Sequence, residues 1–173
     1  MEKQADNQPV RFATDRMLGR MTRWMRMLGA DVISDPVIDG AAILARARRE
    51  GRVTITRDKR LRTAPDVIWL AGNRLAEQLL EVLDRHPQFS QISIDDDRAF
   101  TRCVRCNTAL RSVPREAIGA RVPPFVYAGN RNFSCCDGCG KIYWAATHRA
   151  RAIEMLERIG VGAERIRTGR VSA

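Results

Sequence analysis

The sequence contains no long apolar run, few histidines and none of several motifs that mark nucleotide-binding proteins and hydrolases. No segment of its 173 residues approaches the ~18 to 20 consecutive apolar residues of a membrane-spanning helix. The first ten residues, MEKQADNQPV, lack the apolar core of a secretory signal. Histidine occurs only twice, and no Walker-type loop, dinucleotide-binding, serine-hydrolase or HExxH motif is present. We therefore expect a cytoplasmic protein with no membrane partner, outside most nucleotide-binding and serine-hydrolase classes.

Basic side chains outnumber acidic ones. Lys and Arg total 30 against 20 Asp and Glu, a net charge of +10, and only three of the basic residues are lysine. Residues 1–101 hold 17 basic and 15 acidic groups, whereas residues 102–173 hold 13 and 5. Such an excess favours polyanions as partners, nucleic acid first. The uneven distribution suggests chemistry in the first segment and polyanion binding in the second.

Strand and helix patterns alternate along the first half of the chain. Apolar spacing and β-rich runs predict both kinds of element there. The predicted strands are Val10–Thr14, Val32–Ile33, Arg52–Thr56 and Val67–Leu70, and the predicted helices are Arg16–Leu28, Gly40–Glu50, Asn73–Arg85 and, near the C-terminus, Ala145–Ile159. Alternation of this kind predicts an α/β layer with a mostly parallel sheet. In open sheets of that class, sites form beyond the carboxyl ends of the strands.

Four of the five cysteines form two matched pairs. Cys103 and Cys106 are separated by two residues, as are Cys136 and Cys139, and 29 residues lie between the pairs. Two such pairs bring four thiolates around one Zn²⁺ in a closed structural site. Cys135 does not have this spacing and is predicted not to be a ligand. Reduced core cysteines are the alternative, but matched pairs seldom arise by chance.

Three aspartates are candidates for a second metal site. Asp15 follows the first predicted strand, Asp58 follows the third, and Asp39 opens the second helix. Carboxylate oxygens suit Mg²⁺ or Mn²⁺, which can activate water for attack on a phosphodiester. Each residue also has an ordinary role, because Asp39 and Asp15 are natural helix N-caps and Asp58 can cap a turn. Asp15 and Asp58 both lie at strand ends, which favours function for these two.

The first predicted helix has two contrasting faces. Its apolar face, taken as core, is formed by Met17, Leu18, Met21, Trp24, Met25 and Leu28. On the other side are Arg16, Arg20, Arg23 and Arg26. An arginine stripe is usually a solvated face, but beside a catalytic Asp15 it would become a phosphate track. We predict that these four arginines, together with Arg57, bind RNA.

Several segments together resemble one known family. They are RFATDRMLGRMTRWMRMLGADV, EGRVTITRDKRL, RCVRCNTAL and FSCCDGCGKIYWAATH. They are similar to the Mut-seven C-terminal ribonuclease family, which joins a PIN-like nuclease core to a zinc ribbon. The resemblance covers about residues 10–150. It implies a metal-dependent endoribonuclease.

The resemblance also assigns residues. Asp15 and Asp58 match two acidic positions of the family, Asp39 fits a third, and Asp35 is a possible substitute for Asp39. The ribbon ligands match Cys103, Cys106, Cys136 and Cys139. PIN nucleases often have a fourth acidic residue, and Glu77, Glu81 and Asp84 remain open candidates for it. Ala145 and Ala146 stand where family members commonly have a glycine.

These observations predict an α/β fold with a PIN-like three-layer core over residues 10–100. A small zinc ribbon and a C-terminal helix follow over residues 101–160, with residues 1–9 and 161–173 as flexible tails. The predicted function is hydrolysis of RNA, single-stranded or structured, with catalytic Mg²⁺ or Mn²⁺ and structural Zn²⁺. A noncatalytic zinc-ribbon adaptor that binds RNA or DNA is the alternative. A nuclease neutralised by a protein partner would share the same chemistry.

Overall fold

The computed structural model describes residues 10–35, 37, 40–86, 99–144 and 154. Strands and helices alternate through the first half of the chain, and three strands and a short helix follow residue 99. The strands are β1 (Arg11–Thr14), β2 (Asp31–Ser34), β3 (Val53–Thr56), β4 (Val67–Trp69), β5 (Leu110–Val113), β6 (Phe133–Cys136) and β7 (Ile142–Trp144). The helices are α1 (Gly19–Met27), α2 (Gly40–Glu50), α3 (Leu75–Arg85) and α4 (Pro124–Gly129).

The first four strands form one parallel sheet in the order β2-β1-β3-β4. In its register, Thr14 lies opposite Ser34 on one side and Ile55 on the other. The carboxyl ends of β1, β2 and β3 therefore meet at one edge of the sheet. This confirms the predicted α/β class with a mostly parallel sheet.

Helices cover both faces of this sheet, which gives three layers. On one face, α1 and α3 bury a core around Phe12, Met21 and Leu79. On the other, α2 packs Ile43 and Ala47 against Ala13 of β1. Because successive strand residues point to opposite faces, the neighbours Phe12 and Ala13 contribute to different layers.

The start of the first helix differs from the prediction. Residues Arg16–Leu18 form a 3-10 turn, and the α-helix begins at Gly19. A 3-10 turn has about 3.0 residues per turn instead of 3.6, so the spacing of an α-helix does not hold before Gly19, although Leu18 still packs into the core. Met17 is accordingly 60% exposed, and its assignment to the core was wrong. Met21 and Met25 are fully buried, as predicted.

The chain after residue 99 builds a second, antiparallel sheet in the order β5-β6-β7. A small core of Ile118, Val122, Val126, Phe133 and Ile142 lies against it. The predicted helix Ala145–Ile159 falls almost wholly outside the described residues, of which Glu154 alone lies in that range and is helical. No helix in the described part of the chain has the length and apolar character to cross a membrane.

Candidate functional site

Two of the three predicted aspartates come together at the carboxyl edge of the parallel sheet. Asp15 follows β1 directly, and Asp58 follows the neighbouring β3 by two residues. Asp15 is only 3% exposed, which is unusual for a carboxylate, since buried charges normally require a partner. The groups that donate hydrogen bonds to Asp15 in the described part of the chain are neutral.

Thr56 links the two aspartates. Its hydroxyl donates a short hydrogen bond to Oδ2 of Asp15 and accepts one of 2.9 Å from the backbone amide of Asp58. The other oxygen of Asp15 accepts a hydrogen bond of 2.8 Å from the amide of Met17. Thr56 is itself fully buried, so both aspartates are held in fixed positions relative to β3. Thr56 is the last residue of β3 and was not among the predicted site residues, although Asp58 follows it by two positions.

Asp58 is paired with an exposed arginine. The Arg60 guanidinium donates to both carboxylate oxygens, at 2.6 Å to Oδ2 and 3.0 Å to Oδ1, and the Arg60 amide donates to Oδ1 at 3.0 Å. These side-chain and backbone hydrogen bonds lower the pKa of Asp58, so the carboxylate is ionised at neutral pH. The Arg60 side chain is 78% exposed, and exposed ion pairs of this kind contribute little to stability.

The beginning of α2 lies against the same carboxylate. A methyl group added at Gly40 would come within 3.1 Å of Oδ2 of Asp58. Asp39, the third predicted acid, precedes Gly40 and lies outside the described residues. Its proposed substitute Asp35 is half-buried after β2, where Oδ1 accepts a hydrogen bond of 2.9 Å from Val37.

Two of the three candidates for a fourth acidic residue have structural roles, and the third has no described contact with Asp15 or Asp58. Glu81 accepts hydrogen bonds from the amides of Ala71 and Gly72, and Glu77 accepts from Asn73 and Arg74. Both glutamates therefore hold the loop between β4 and α3. Asp84 is exposed, and no described contact brings it to Asp15 or Asp58.

The predicted RNA-binding arginines separate into three environments. Arg16, Arg20 and Arg23 are exposed. Arg57 is half-buried beside Asp58 and donates a short hydrogen bond to the side-chain oxygen of Asn73. Arg26 is only 5% exposed, and its prediction as an RNA-binding residue is corrected by its position.

Arg26 joins the parallel sheet to the cysteine segment. Its Nε donates to the carbonyl of Val32 at 2.8 Å, and its Nη1 donates to the carbonyls of Val104 at 3.2 Å and Arg105 at 2.7 Å. At about 100° per residue Arg26 lies about 80° from Arg16 around the helix, whereas Arg20 and Arg23 lie within about 40°. The helical angle is the signal that could have separated it from the exposed set.

Asn107 makes a second connection between the two parts. Its side chain accepts a hydrogen bond of 3.0 Å from the amide of Val32 on the edge strand β2 and donates one of 2.7 Å to Asp31. Asn107 has φ of 72°, a left-handed conformation that asparagine adopts more readily than most residues. Arg102 adds a hydrogen bond of 3.2 Å to the carbonyl of Gly29. The antiparallel sheet is thus held against β2 and the end of α1.

The four paired cysteines converge as predicted. Their sulfur atoms all lie within 4.8 Å of one another, and Cys135 is not part of the group. The Cys103–Cys139 and Cys106–Cys136 sulfur distances are 3.6 Å and 3.3 Å. A tetrahedral Zn²⁺ with sulfurs at about 2.3 Å requires sulfurs about 3.8 Å apart, close to these values. In the described part of the chain this is the one group of three or more potential ligands that could hold a metal.

Electrostatics favours a bound cation in this group. Burial raises the pKa of Cys103, but hydrogen bonds from Tyr143 and from the amides of Cys106 and Arg105 outweigh it and lower the pKa to about 6. Burial and the adjacent thiols raise the pKa of Cys136 to about 12. Ionisation of one thiol therefore disfavours ionisation of the next, and a bound divalent ion would remove that penalty.

A family model matches residues 10–156, which include the parallel sheet, its three helices and all four clustered cysteines. Its description is Mut7-C RNAse domain. The chain belongs to the Mut7-C RNAse domain family. This confirms the resemblance found in the sequence.

Membership of the Mut7-C RNAse domain family indicates a ribonuclease-type function with RNA as the substrate class. A search of curated proteins and a search of solved structures each found no match. The residues that would carry the activity of this Mut7-C member are therefore argued from its own geometry.

Proposed function

We propose that this protein is a metal-dependent endoribonuclease that hydrolyses RNA phosphodiesters at the carboxyl edge of its parallel sheet. Asp15, Asp39 and Asp58 would be the ligands of Mg²⁺ or Mn²⁺. The core of residues 10–100 would carry the cleavage site, and residues 101–160 would carry the ribbon that helps to bind RNA. We further propose a cytoplasmic location, in which cysteines remain reduced, since all five are free thiols in the structure.

The observation that carries this proposal is the buried carboxylate of Asp15, held beside Asp58 through Thr56. The donor set is chemically suitable, because hard carboxylate oxygens are the ligands that Mg²⁺ and Mn²⁺ prefer. The recorded partners of Asp15, an amide and a hydroxyl, leave its negative charge uncompensated in the described part of the chain. When bound, the divalent ion would supply an activated water and stabilise charge on the phosphoryl oxygens.

The residues of the chain have distinct parts in this proposal. Thr56 orients the Asp15 carboxylate through its hydroxyl. The exposed arginines Arg16, Arg20 and Arg23 follow Asp15 along the chain and would contact the phosphates of the RNA. Arg57, next to Asp58 in the chain, would also bind the RNA. The ion pair with Arg60 would neutralise Asp58 before substrate arrives.

We propose Zn²⁺ as the ion of the four-cysteine group. Four thiolates form the ligand set of a closed structural zinc site, with no position left for water or substrate. The role of this ion would be to fold the ribbon, since binding free energy becomes folding free energy where the apolar core is small. The core beside this sheet consists of five buried side chains.

Cleavage of labelled single-stranded RNA tests the proposal. The wild type, Asp15→Asn and Asp58→Asn are compared with Mn²⁺, with Mg²⁺ and with a chelator. The matched control is Asp66→Asn, because Asp66 is exposed, precedes β4 at the opposite edge of the sheet, and has φ of 61°, which asparagine tolerates. We expect cleavage by the wild type and Asp66→Asn that requires the metal, and its loss in the other two variants.

The alternative is a noncatalytic adaptor that binds RNA or DNA through the ribbon. The pairing of both Asp58 oxygens with Arg60 favours it, since a structural ion pair needs no metal. Equal cleavage by all four proteins would indicate contamination and support the adaptor. Absence of cleavage by the wild type with either metal would do the same.

A further inference from the structure

One face of α1 carries a line of side chains that leads away from Asp15. Arg20, Arg23 and Met27 are spaced i, i+3 and i+7, so they lie within about 60° of one another around the helix. Arg16, in the turn before α1, continues the line toward Asp15. The three arginines are exposed and Met27 is half-buried. The line thus begins at the acidic edge and ends at the last residue of α1.

A cavity of about 430 Å³ opens where this line ends. Met27 forms one wall, and the antiparallel sheet forms another. Its lining combines aromatic rings with basic and amide groups, among them Phe100, Tyr143, Trp144, Lys141, Arg102 and Asn132. Cavities of about 300–1,000 Å³ that are mostly apolar with a few polar groups are typical ligand sites.

The chemistry of the lining suits nucleobases. Trp144 and Tyr143 are half-buried at the end of β7, which leaves part of each ring accessible. The Tyr143 hydroxyl lies 3.0 Å from the sulfur of Cys103, which anchors the ring to the cysteine group. Lys141 is exposed and its Nζ lies 5.4 Å from the centre of the Tyr143 ring. Aromatic faces stack on any base, and a nearby cation contacts the phosphate that follows it.

We propose that this cavity is a second RNA-binding site that holds unpaired bases of the substrate, several nucleotides from the bond that is cut. From Asp15 to Met27 the chain advances 12 residues, about 20 Å at the rise of a 3-10 turn over the first four and of an α-helix over the rest. Arg16, Arg20 and Arg23 lie between these two residues and would hold the intervening phosphates. This proposal rests on the proposed ribonuclease function, because the distance is counted from its cleavage site.

Single-stranded RNA is favoured over other occupants by charge and by shape. Arg16, Arg20 and Arg23 are exposed after Asp15, and the exposed Lys141 lines the cavity, so both regions offer positive charge to phosphates. In a duplex the bases are stacked inside and cannot enter a cavity, whereas unpaired bases can leave the stack and meet aromatic side chains. The site therefore predicts discrimination between single-stranded and double-stranded RNA.

Binding of a short fluorescent uridine oligonucleotide to the full-length Asp15→Asn protein, with zinc bound, tests the proposal without cleavage. We expect Trp144→Ala to weaken binding about five- to hundredfold, the effect typical of losing a base-stacking aromatic side chain. Trp144→Phe, which keeps a ring, should bind nearly as the parent does. The matched control is Phe125→Ala, since Phe125 is an aromatic residue of the same part of the chain that is 77% exposed and does not line the cavity.

Trp144 also packs against the small core, so folding of each variant is checked by zinc content and thermal melting. A second variant avoids this difficulty. Lys141→Ala removes an exposed side chain and should lower the slope of log affinity against log salt by about 0.7, the value for one phosphate contact on a single strand. Duplex RNA should compete weakly for the site.

The results separate this proposal from the proposed function. If folded Trp144→Ala and Lys141→Ala bind the oligonucleotide as the parent does, the cavity is not an RNA site, even if the wild type cleaves RNA. If both variants lose binding but the wild type does not cleave with either metal, the cavity stands and the nuclease proposal does not. Equal binding of duplex and single-stranded RNA would also contradict the cavity proposal.

Discussion

Arg26 of α1 donates a hydrogen bond of 2.7 Å to the carbonyl oxygen of Arg105, between the two cysteines of the first pair. α1 begins four residues after Asp15 and ends at the cavity, so the same helix contacts all three regions. The cysteine group and the acidic edge are therefore connected through one rigid element.

Replacement of Arg26 should destabilise the protein. Arg26→Met keeps much of the side-chain volume but leaves three backbone carbonyls without their donor. We expect a loss of about 1.5–3 kcal/mol in the free energy of unfolding, the range for hydrogen bonds to a charged group. Urea unfolding measures it. Arg23→Met, on the exposed side of the same helix, should change stability by less than about 0.5 kcal/mol, and an equal effect of both would refute the docking role of Arg26.

The four-cysteine group should hold one zinc ion per chain. Cys136→Ser removes a sulfur from the group, and we expect the variant to lose zinc and much of the structure of the antiparallel sheet. Cys135→Ser, one residue earlier, should retain zinc, because the Cys135 sulfur lies outside the group. Metal analysis of the purified proteins gives the zinc content. Zinc retained by Cys136→Ser and lost by Cys135→Ser would reverse the assignment.

The hydroxyl of Thr56 should matter for cleavage more than for binding. Thr56→Val removes the hydrogen bonds to Asp15 and Asp58 with little change in shape. Loss of a group that orients metal ligands typically lowers metal affinity or activity about 10- to 100-fold. Steady-state cleavage at several Mn²⁺ concentrations measures the affinity for Mn²⁺ and the maximal cleavage rate. Thr54→Val is the control, since Thr54 lies on the same strand and its buried hydroxyl has no described partner.

Stability should depend on pH through Asp31. Burial raises the pKa of this carboxyl, but hydrogen bonds from Arg52 and Asn107 outweigh it and the net pKa lies below its usual value near 3.8. A carboxyl with a lowered folded-state pKa stabilises the protein above the pKa of the unfolded chain. That contribution falls as the pH drops through the folded-state value.

The matching experiment compares Asp31→Asn with wild type. At pH 7 the variant should be less stable by about 1.5–3 kcal/mol, as expected for charged hydrogen bonds. The difference in unfolding free energy between the two proteins should narrow when denaturant unfolding is repeated at successively lower pH below about 4. Asp137→Asn, which removes an exposed ion pair with Arg111, should have little effect at any pH. A difference that is constant with pH would show that the Asp31 charge does not contribute.

Much of the fold could be predicted because local patterns and tertiary structure agree. The helix over Gly40–Glu50 has the predicted bounds, since a glycine closes it and its buried residues recur at helical spacing. Cysteine spacing was sufficient for the metal-binding group because two residues between ligands permit only a tight turn. The residues at the strand ends could be named for the same reason, once the sheet was expected to be parallel.

Roles that depend on which surfaces meet could not be predicted in this way. Met17 and Arg26 each lie in an environment other than the one predicted for them. A 3-10 turn rotated the first into solvent, and the cysteine segment covered the second. The bridge from Asp15 to Asp58 through Thr56 likewise requires two strands that are neighbours in the sheet, although Asp15 and Thr56 are 41 residues apart in the chain.

The sequence by itself determined the α/β class, the order of the elements, the four cysteines that cluster and the family. These depend on periodicity and spacing, which are local properties of a chain. Only the tertiary structure decided that Thr56 orients Asp15, that Arg26 is buried under the antiparallel sheet, and that a cavity lies at the end of α1. Contacts between distant segments depend on how whole surfaces pack, and no local pattern encodes that.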